Sequence, residues 1–141
     1  MDSVEELLAK GVIRPTKCSS GEFMNRLFLV PKPDGTFRPI LNVKKFNDSV
    51  KKEHFKMESI KDAMMLVTPN CYMMTLDLKD AFQAVPITPG QYKYFRFRVA
   101  GQHYEFVRMC FGLTTAPWTF TKVMKVLILY LYIIGSLIIP F

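Results

Sequence analysis

The stretch RLFLVPKPDGTFRPILN, residues 26–42, places two apolar runs on either side of a turn sequence. Residues 27–30 and 37–41 have the length and composition of strands. Pro33-Asp34-Gly35 between them is typical of a tight turn. The stretch therefore predicts a β-hairpin.

Further patterns predict a mixed α+β chain. In YFRFRVAGQHYEFV, residues 94–107, apolar and polar residues alternate along the first arm, and Ala100-Gly101 in the middle predicts a second hairpin. Because hairpins and helices are mixed in this order, a doubly wound parallel sheet is disfavoured. The other predicted elements are a helix over residues 3–10 ended by Gly11, an irregular stretch after it, a helix over 59–67, a strand over 71–76, and a helix starting at Pro117.

The composition fits one domain of 141 residues, or a piece of a larger one, with a net charge of +7. Such a charge favours a polyanionic partner but also fits an ordinary lysine-rich surface. Cys18, Cys71 and Cys110 are odd in number and widely spaced, so we expect reduced thiols and an intracellular protein of the cytoplasm or nucleus, not a secreted one. His54 and His103 have no ligand pattern beside them, so we expect no zinc site.

The last segment, VLILYLYIIGSLIIPF, residues 126–141, carries no charge. A membrane-spanning helix needs about 20 apolar residues, and Gly135, Ser136 and Pro140 interrupt this segment further. A buried helix followed by a buried strand is the favoured interpretation, and a membrane tail is the alternative.

The stretch TLDLKDAF, residues 75–82, places Asp77 directly after an apolar run. A carboxylate at the end of a strand is suited to bind Mg²⁺ together with substrate phosphates. The alternative is that Asp77 only caps the turn through the amides of Lys79 or Asp80.

Two other features are each compatible with binding or with plain structure. Lys32 and Arg38 flank the first turn, where two cations are suited to phosphate oxygens but equally to solvent. In FGLTTAPWTF, residues 111–120, Gly112 permits close backbone approach, although a loop-to-helix junction explains the same residues.

In combination and in this order, these motifs resemble the fingers and palm motifs of reverse transcriptases. The resemblance covers residues 7–139 and is carried by FLVPKPDGTFRPILNVKKFN, LDLKDAF and MCFGLTTAPWTFTKVMK. The sequence of these motifs is most similar to that of retrotransposon enzymes, DIRS-like elements among them. It implies an α+β domain over residues 8–141, with hairpins and helices packed on a mostly antiparallel sheet. The implied fingers comprise mainly residues 8–70 and 88–112, and the implied palm mainly 71–87 and 113–141.

The resemblance also implies roles for individual residues. Asp77 would be the first catalytic aspartate and bind both Mg²⁺ ions, with the carbonyl of Leu78 as a further ligand. Phe82 would be a steric gate, because its ring fills the space that a ribose 2′-hydroxyl needs. The remaining implied residues are Lys32, Arg38 and the amides of Asp80 and Ala81 for the nucleotide phosphates, and Phe111, Gly112 and Pro117 for the template and base pair.

The implied reaction is DNA synthesis by two-metal phosphoryl transfer. Its partners would be an RNA or DNA template with a primer, a dNTP, and the rest of a polyprotein with its remaining palm, thumb and RNase H segments. We expect no membrane partner.

The chain departs from the family pattern at one point. The family completes its metal site with a Tyr-x-Asp-Asp turn, but residues 106–141 contain neither Asp nor Glu. We therefore expect a chain truncated before that hairpin, with residues 137–141 as half of it, and no polymerase activity from this chain alone. A non-catalytic nucleic-acid-binding remnant and a tail-anchored membrane protein are the alternatives.

Overall fold

The computed structural model of the chain describes residues 2–51, 54–56, 59, 61, 64–65, 67–72 and 77–133. The chain divides into two compact units. The first combines Met1–Lys52 with Asp80–Ala116, and the second combines Glu53–Lys79 with Pro117–Phe141.

The first unit contains one five-stranded sheet with short helices. The strand order is β1-β5-β4-β2-β3, and every neighbouring pair is antiparallel except β2 with β4. The prediction of an α+β fold with a mostly antiparallel sheet is therefore confirmed. Its elements are α1 (Asp2–Ala9), β1 (Ile13–Thr16), β2 (Met24–Pro31), β3 (Phe37–Asn42), α2 (Lys44–Ser49), 3₁₀ helices at Ala81–Ala84 and Pro89–Tyr94, β4 (Arg96–Val99) and β5 (Gln102–Phe106).

Both predicted hairpins form, and side chains and backbone fix their turns. In the β2–β3 turn, Asp34 Oδ1 accepts hydrogen bonds from Thr36 N at 2.9 Å and Thr36 Oγ1 at 2.6 Å. These bonds hold the pKa of Asp34 below its ordinary value. In the β4–β5 turn, Ala100 and Gly101 have φ of 48° and 85°. Two successive residues of positive φ make the turn whose twist suits a two-residue hairpin.

The predicted irregular stretch after Gly11 is wrong, because residues 13–16 form β1. This strand pairs with β5 in the register Ile13↔Phe106. Only Ile13 of the strand is buried, and Arg14 and Pro15 are exposed, so the sequence shows no alternation there. A strand this short is specified by a partner far along the chain.

The core lies on one face of this sheet. Phe97 is fully buried, and its ring centroid lies 5.6 Å from that of Tyr104 and 5.4 Å from that of Phe106. Burial raises the pKa of the Cys110 thiol to about 12, so this side chain acts as a small apolar group. The buried cluster comprises Leu7, Val12, Ile13, Leu41, Val43, Ile87, Phe95, Phe97, Phe106 and Cys110.

The second unit contains α3 (Ala116–Ile133), whose first residue belongs to the first unit. This helix confirms the one predicted from Pro117. Within the predicted helix over 59–67, Lys61 and Met64 are helical, but several of its residues lie outside the described ones. Residues 73–76 of the predicted strand and residues 134–141 of the apolar tail also lie outside them. No helix within the described ranges is both long and apolar enough to cross a membrane.

A buried carboxylate links four segments of the first unit. Glu105 on β5 is 2% exposed and lies between two arginines. Its Oε1 accepts hydrogen bonds from Arg14 Nε on β1 at 2.8 Å, and its Oε2 accepts from Arg96 Nε on β4 at 2.8 Å. Arg96 Nη1 reaches on to Glu22 Oε2 at 2.7 Å and to Ser19 Oγ, both on the β1–β2 loop. Since each charge in this ladder has an opposite partner, Glu105, Arg96 and Glu22 can be largely buried, whereas Arg14 remains exposed.

The Arg96 end of this ladder responds to pH through Glu22. The hydrogen bond from Arg96 holds the pKa of Glu22 below its ordinary value. Stability from Glu22 is therefore fully present above the ordinary glutamate pKa and is lost as pH falls through the lowered value.

A second constraint fastens the loop after β5 onto β3. Leu41 N donates to Phe111 O at 3.0 Å, and the next residue, Gly112, has φ of 107°. A Cβ on Gly112 would lie 2.1 Å from Leu41 O. Only glycine fits this position.

Replacing Glu105 by Gln should lower the free energy of unfolding of the 141-residue chain by about 3 kcal/mol, because the buried group that contacts both Arg14 and Arg96 loses its charge. Urea unfolding followed by circular dichroism measures the change. Glu5→Gln, which removes an exposed carboxylate on α1, is the matched control and should change stability by less than about 0.5 kcal/mol. Equal losses in the two variants would contradict the role of the buried ladder.

Replacing Gly112 by Ala should cost at least about 3 kcal/mol, because the new methyl group meets a backbone oxygen at a positive φ. Gly90→Ala is the control, since a Cβ there would meet nothing within 4 Å. Thermal unfolding of both variants tests the difference. A Gly112→Ala protein as stable as Gly90→Ala would show that the loop moves off β3 without cost.

Candidate functional site

Three predicted site residues, distant in sequence, meet in the first unit. The guanidinium carbon of Arg38 lies 5.2 Å from the centroid of the Phe111 ring. The Phe111 ring also contacts the Phe82 ring: the two ring centroids lie 5.4 Å apart, and the interplanar angle is 56°. We call Arg38, Phe111 and Phe82 the aromatic stack. Attraction between a cation and a ring face contributes about 0.5–1 kcal/mol at an exposed site, so Phe111 restrains the arginine.

The fold positions each member of the stack separately. Arg38 lies on β3 opposite Val30 of β2 and is exposed. Phe111 directly precedes Gly112, whose close approach to β3 fixes the position of this loop. Phe82 lies in the first 3₁₀ helix and is half-buried. The stack thus joins the first hairpin to the loop before α3 and to the first 3₁₀ helix. The guanidinium of Arg38 remains exposed to solvent.

Lys32 lies at the start of the β2–β3 turn, where its backbone N donates to Thr36 O at 2.8 Å. Its ammonium charge adds to the Thr36 hydrogen bonds in lowering the pKa of Asp34. Lys32 and Arg38 are therefore on the same hairpin, one at its turn and one on β3 beside Phe111. The prediction that they act together on phosphates stays a prediction.

Asp80 precedes the first 3₁₀ helix with a left-handed backbone of φ 54°. Its Oδ2 accepts a 2.7 Å hydrogen bond from Lys10 Nζ on the segment after α1. This bond, followed by the contact with Glu6, raises the pKa of Lys10. The carboxylate of Asp80 is thus paired inside the unit, beside Ala81 and Phe82.

The loop that carries Phe111 is also clamped by a residue that the sequence did not reveal. Asn47 on α2 donates from Nδ2 to Gly112 O at 2.8 Å and accepts from Thr114 N at 3.0 Å. An open groove of about 360 Å³ lies beside this clamp, with Phe28 and Ile40 among its lining residues. No sequence signal pointed to Asn47, because its partners Gly112 and Thr114 lie 65 and 67 positions away along the chain.

Asp77, Leu78 and Pro117 belong to the second unit rather than to the unit of the aromatic stack. Asp77 and Leu78 are exposed, and Pro117 is half-buried in the first turn of α3. Pro117 O accepts a hydrogen bond from Thr121 Oγ1 at 2.8 Å.

Comparison with known proteins gives a consistent result. Over 129 residues, the chain is 26% identical to the Retrovirus-related Pol polyprotein from transposon 297 of Drosophila melanogaster, covering 88% of this chain and 12% of that protein. The chain therefore spans about a tenth of the length of this relative. The assignment to DIRS-like elements stays a prediction.

Solved structures share the fold. The crystal structure of the prototype foamy virus protease–reverse transcriptase matches 97% of this chain and 18% of its own, with a TM-score of 0.73 and 27% identity. A foamy viral protease–reverse transcriptase in complex with an RNA/DNA hybrid matches the same share of this chain, with a TM-score of 0.70 and 22% identity. At that identity, the second match shows the fold alone.

The family model described as reverse transcriptase (RNA-dependent DNA polymerase) matches residues 30–132. This range is well over half of the chain, and it includes the first turn, the segment around Asp77, and the loop before α3. The chain therefore belongs to the reverse transcriptase family.

Proposed function

We propose that this chain forms the fingers and part of the palm of a retroelement RNA-directed DNA polymerase, and that the aromatic stack forms one wall of its dNTP pocket. The observation that carries the proposal is the contact of Arg38 and Phe82 with the same ring, that of Phe111. A cation and an apolar ring held side by side match the two ends of a nucleotide, its phosphates and its sugar.

In this arrangement, Arg38 binds phosphate oxygens. Its planar guanidinium donates two parallel hydrogen bonds to a phosphate, and the Phe111 ring beneath it restricts its orientation. Lys32 adds a second cation from the same hairpin. The amides of Asp80 and Ala81 complete the phosphate contacts, and the pairing of the Asp80 carboxylate with Lys10 keeps that negative charge occupied.

Phe82 selects the sugar. A ring at this position excludes a ribose 2′-hydroxyl by contact and favours deoxynucleotides, which is discrimination by a clash with the wrong partner. Its packing against Phe111 limits how far the ring can move aside.

The groove beside Gly112 is the proposed place of the template and the nascent base pair. The groove is lined by apolar residues such as Phe28 and by polar ones such as Lys44, and Asn47 holds the loop that carries Phe111. Gly112 keeps this loop close against β3, because a Cβ there would meet Leu41 O. We also propose Pro117, in the first turn of α3, as a residue that contacts the template.

The ligands present fit part of a Mg²⁺ site. The exposed carboxylate of Asp77 and the carbonyl of Leu78 are hard oxygen ligands, which Mg²⁺ takes together with substrate phosphates. No Asp or Glu occurs in residues 106–141, so this chain does not supply a later catalytic acid for the second ion. When bound, Mg²⁺ supplies Lewis-acid stabilisation of phosphoryl transfer. Asp77 would hold the ion, while Arg38 and Lys32 orient the triphosphate.

The proposed partners are a primed RNA or DNA template, a dNTP, and the remaining palm, thumb and RNase H segments of a polyprotein. A net charge of +7 suits the phosphate backbone, and a foamy viral protein of this fold was solved with an RNA/DNA hybrid. We propose an intracellular location, because three cysteines, odd in number and widely spaced, are typical of reduced thiols.

Binding of a primed RNA–DNA hybrid by the 141-residue chain should weaken with salt and tighten when Mg²⁺ and the next complementary dNTP are added. Arg38→Ala should weaken this dNTP-dependent tightening about tenfold, since a charged hydrogen-bond pair contributes about 1.5–3 kcal/mol. Fluorescence anisotropy of a labelled hybrid, titrated with and without dNTP, measures the change.

Arg98→Ala is the matched control, because it removes an exposed cation from β4, away from the stack. It should lower the salt-dependent binding slightly and leave the dNTP response intact. Hybrid binding by the unmodified chain that ignores Mg²⁺ and dNTP would contradict the proposal and support a non-catalytic nucleic-acid-binding remnant.

Phe82→Ala should remove sugar discrimination. In the same assay, with adenine as the next complementary base, dATP should tighten hybrid binding by the unmodified chain far more than ATP does. In Phe82→Ala, dATP and ATP should tighten binding to nearly the same extent. Phe23→Ala, which removes another partly exposed ring of the first unit, is the control and should keep the preference. An unchanged preference in Phe82→Ala would exclude Phe82 as the steric gate.

A further inference from the structure

Three side chains that can bind a metal converge near the β1–β5 pair of the sheet. A ligand atom from each of Cys18, Glu22 and His103 lies within 4.8 Å of the other two. Within the part of the chain that the structure describes, no other group of three or more His, Cys, Asp or Glu side chains is this close.

Strand pairing brings these residues together. His103 on β5 pairs with Thr16 at the end of β1, and Cys18 follows on the β1–β2 loop that also carries Glu22. The expectation of no zinc site considered only neighbours along the chain. The register of β1 with β5 supplies the missing neighbours.

The Cys18–Glu22 pair already has the geometry of two ligands that share one cation. Cys18 Sγ donates a hydrogen bond to Glu22 Oε1 at 3.1 Å, and this bond raises the pKa of the thiol. A metal ion that binds both atoms replaces the proton between them. The metal-bound sulfur is a thiolate, so the proton leaves to solvent.

A second layer of contacts orients Glu22. Its Oε2 accepts hydrogen bonds from Arg96 Nη1 at 2.7 Å and from Ser19 N at 3.3 Å. Because Arg96 is itself held by Glu105, the carboxylate turns Oε1 towards Cys18. Such outer contacts are what fix ligands in metal sites.

We propose that Cys18, Glu22 and His103 bind one Zn²⁺ ion, with water as the fourth ligand. Thiolate, imidazole and carboxylate are the three ligand types that zinc takes, and a tetrahedral site separates its ligand atoms by about 3.3–3.8 Å. Shifts of about 1 Å in side-chain position bring the present atoms to that spacing. An open groove of about 460 Å³ lined by Cys18 and His103 gives the ion access.

The bound ion would join the β1–β2 loop to β5 and so stabilise the first unit. The cluster lies beside β1 and β5, whereas the aromatic stack involves β3 at the other end of the strand order. Zinc would therefore act on stability and not on the nucleotide, and the proposal does not depend on the proposed polymerase role.

Titration of the 141-residue chain with Zn²⁺ should show one bound ion and a rise in Tm that grows with Zn²⁺ concentration. Co²⁺, used as a spectroscopic probe, should give the absorption of thiolate-to-cobalt charge transfer.

Cys18→Ser should abolish the charge-transfer band, and His103→Gln should weaken Zn²⁺ binding at least about tenfold. Cys71→Ser and His54→Gln are matched controls, because both residues are exposed and belong to the second unit. They should leave the band and the Tm rise unchanged. Glu22→Gln, which keeps the shape of the side chain, should also weaken Zn²⁺ binding. Circular dichroism without metal checks that each variant folds.

Two results would overturn the proposal. One is the absence of any Zn²⁺-dependent rise in Tm in the unmodified chain, which would leave Cys18 and Glu22 as a metal-free hydrogen-bonded pair. The other is equal loss of the cobalt band in Cys18→Ser and Cys71→Ser, which would indicate non-specific thiol binding.

Discussion

The buried carboxylate of Glu105 is the interaction on which the first unit depends. It sits where β1, β5 and β4 lie side by side, directly opposite Arg14 on one neighbour and Arg96 on the other. Each strand is short, and the outer one contributes only a single buried apolar side chain, Ile13. Opposite charges in register therefore specify a pairing that apolar burial alone would specify weakly. Removing Glu105 would take from Arg14 its partner on β5 and leave Arg96 with Glu22 alone.

A backbone contact fixes the β3 end of the sheet, as the charges around Glu105 fix the β1–β5 end. Gly112 lies so close to Leu41 O that the loop has one position on β3, and Asn47 closes it from α2. That position places the ring of Phe111 between Arg38 and Phe82. The aromatic stack therefore depends on Gly112, because the backbone contact of this residue sets the position of the Phe111 ring.

The sequence predicts local features well and distant ones poorly. Both hairpins, the helix from Pro117 and the close approach at Gly112 follow from turn residues and alternation that lie within a few positions of each other. The strand β1, the helix α2 and the Cys18–Glu22–His103 cluster do not, because each depends on a partner far along the chain. The stack falls between these cases: the resemblance to reverse transcriptases indicated its three residues, but only the fold shows that Phe111 joins the other two.

The strand order separates two kinds of chemistry within one unit. The stack belongs to the β3 end, where an exposed cation and apolar rings face solvent, and the thiol–carboxylate–imidazole cluster belongs to the β1–β5 end. In the strand order, β4 and β2 lie between them, and Arg96 links Glu22 of the cluster to Glu105. Tightening the cluster would therefore stabilise the ladder without contacting the stack. Stability and the proposed nucleotide binding should accordingly be separable by mutation, because they involve different residues of the same sheet.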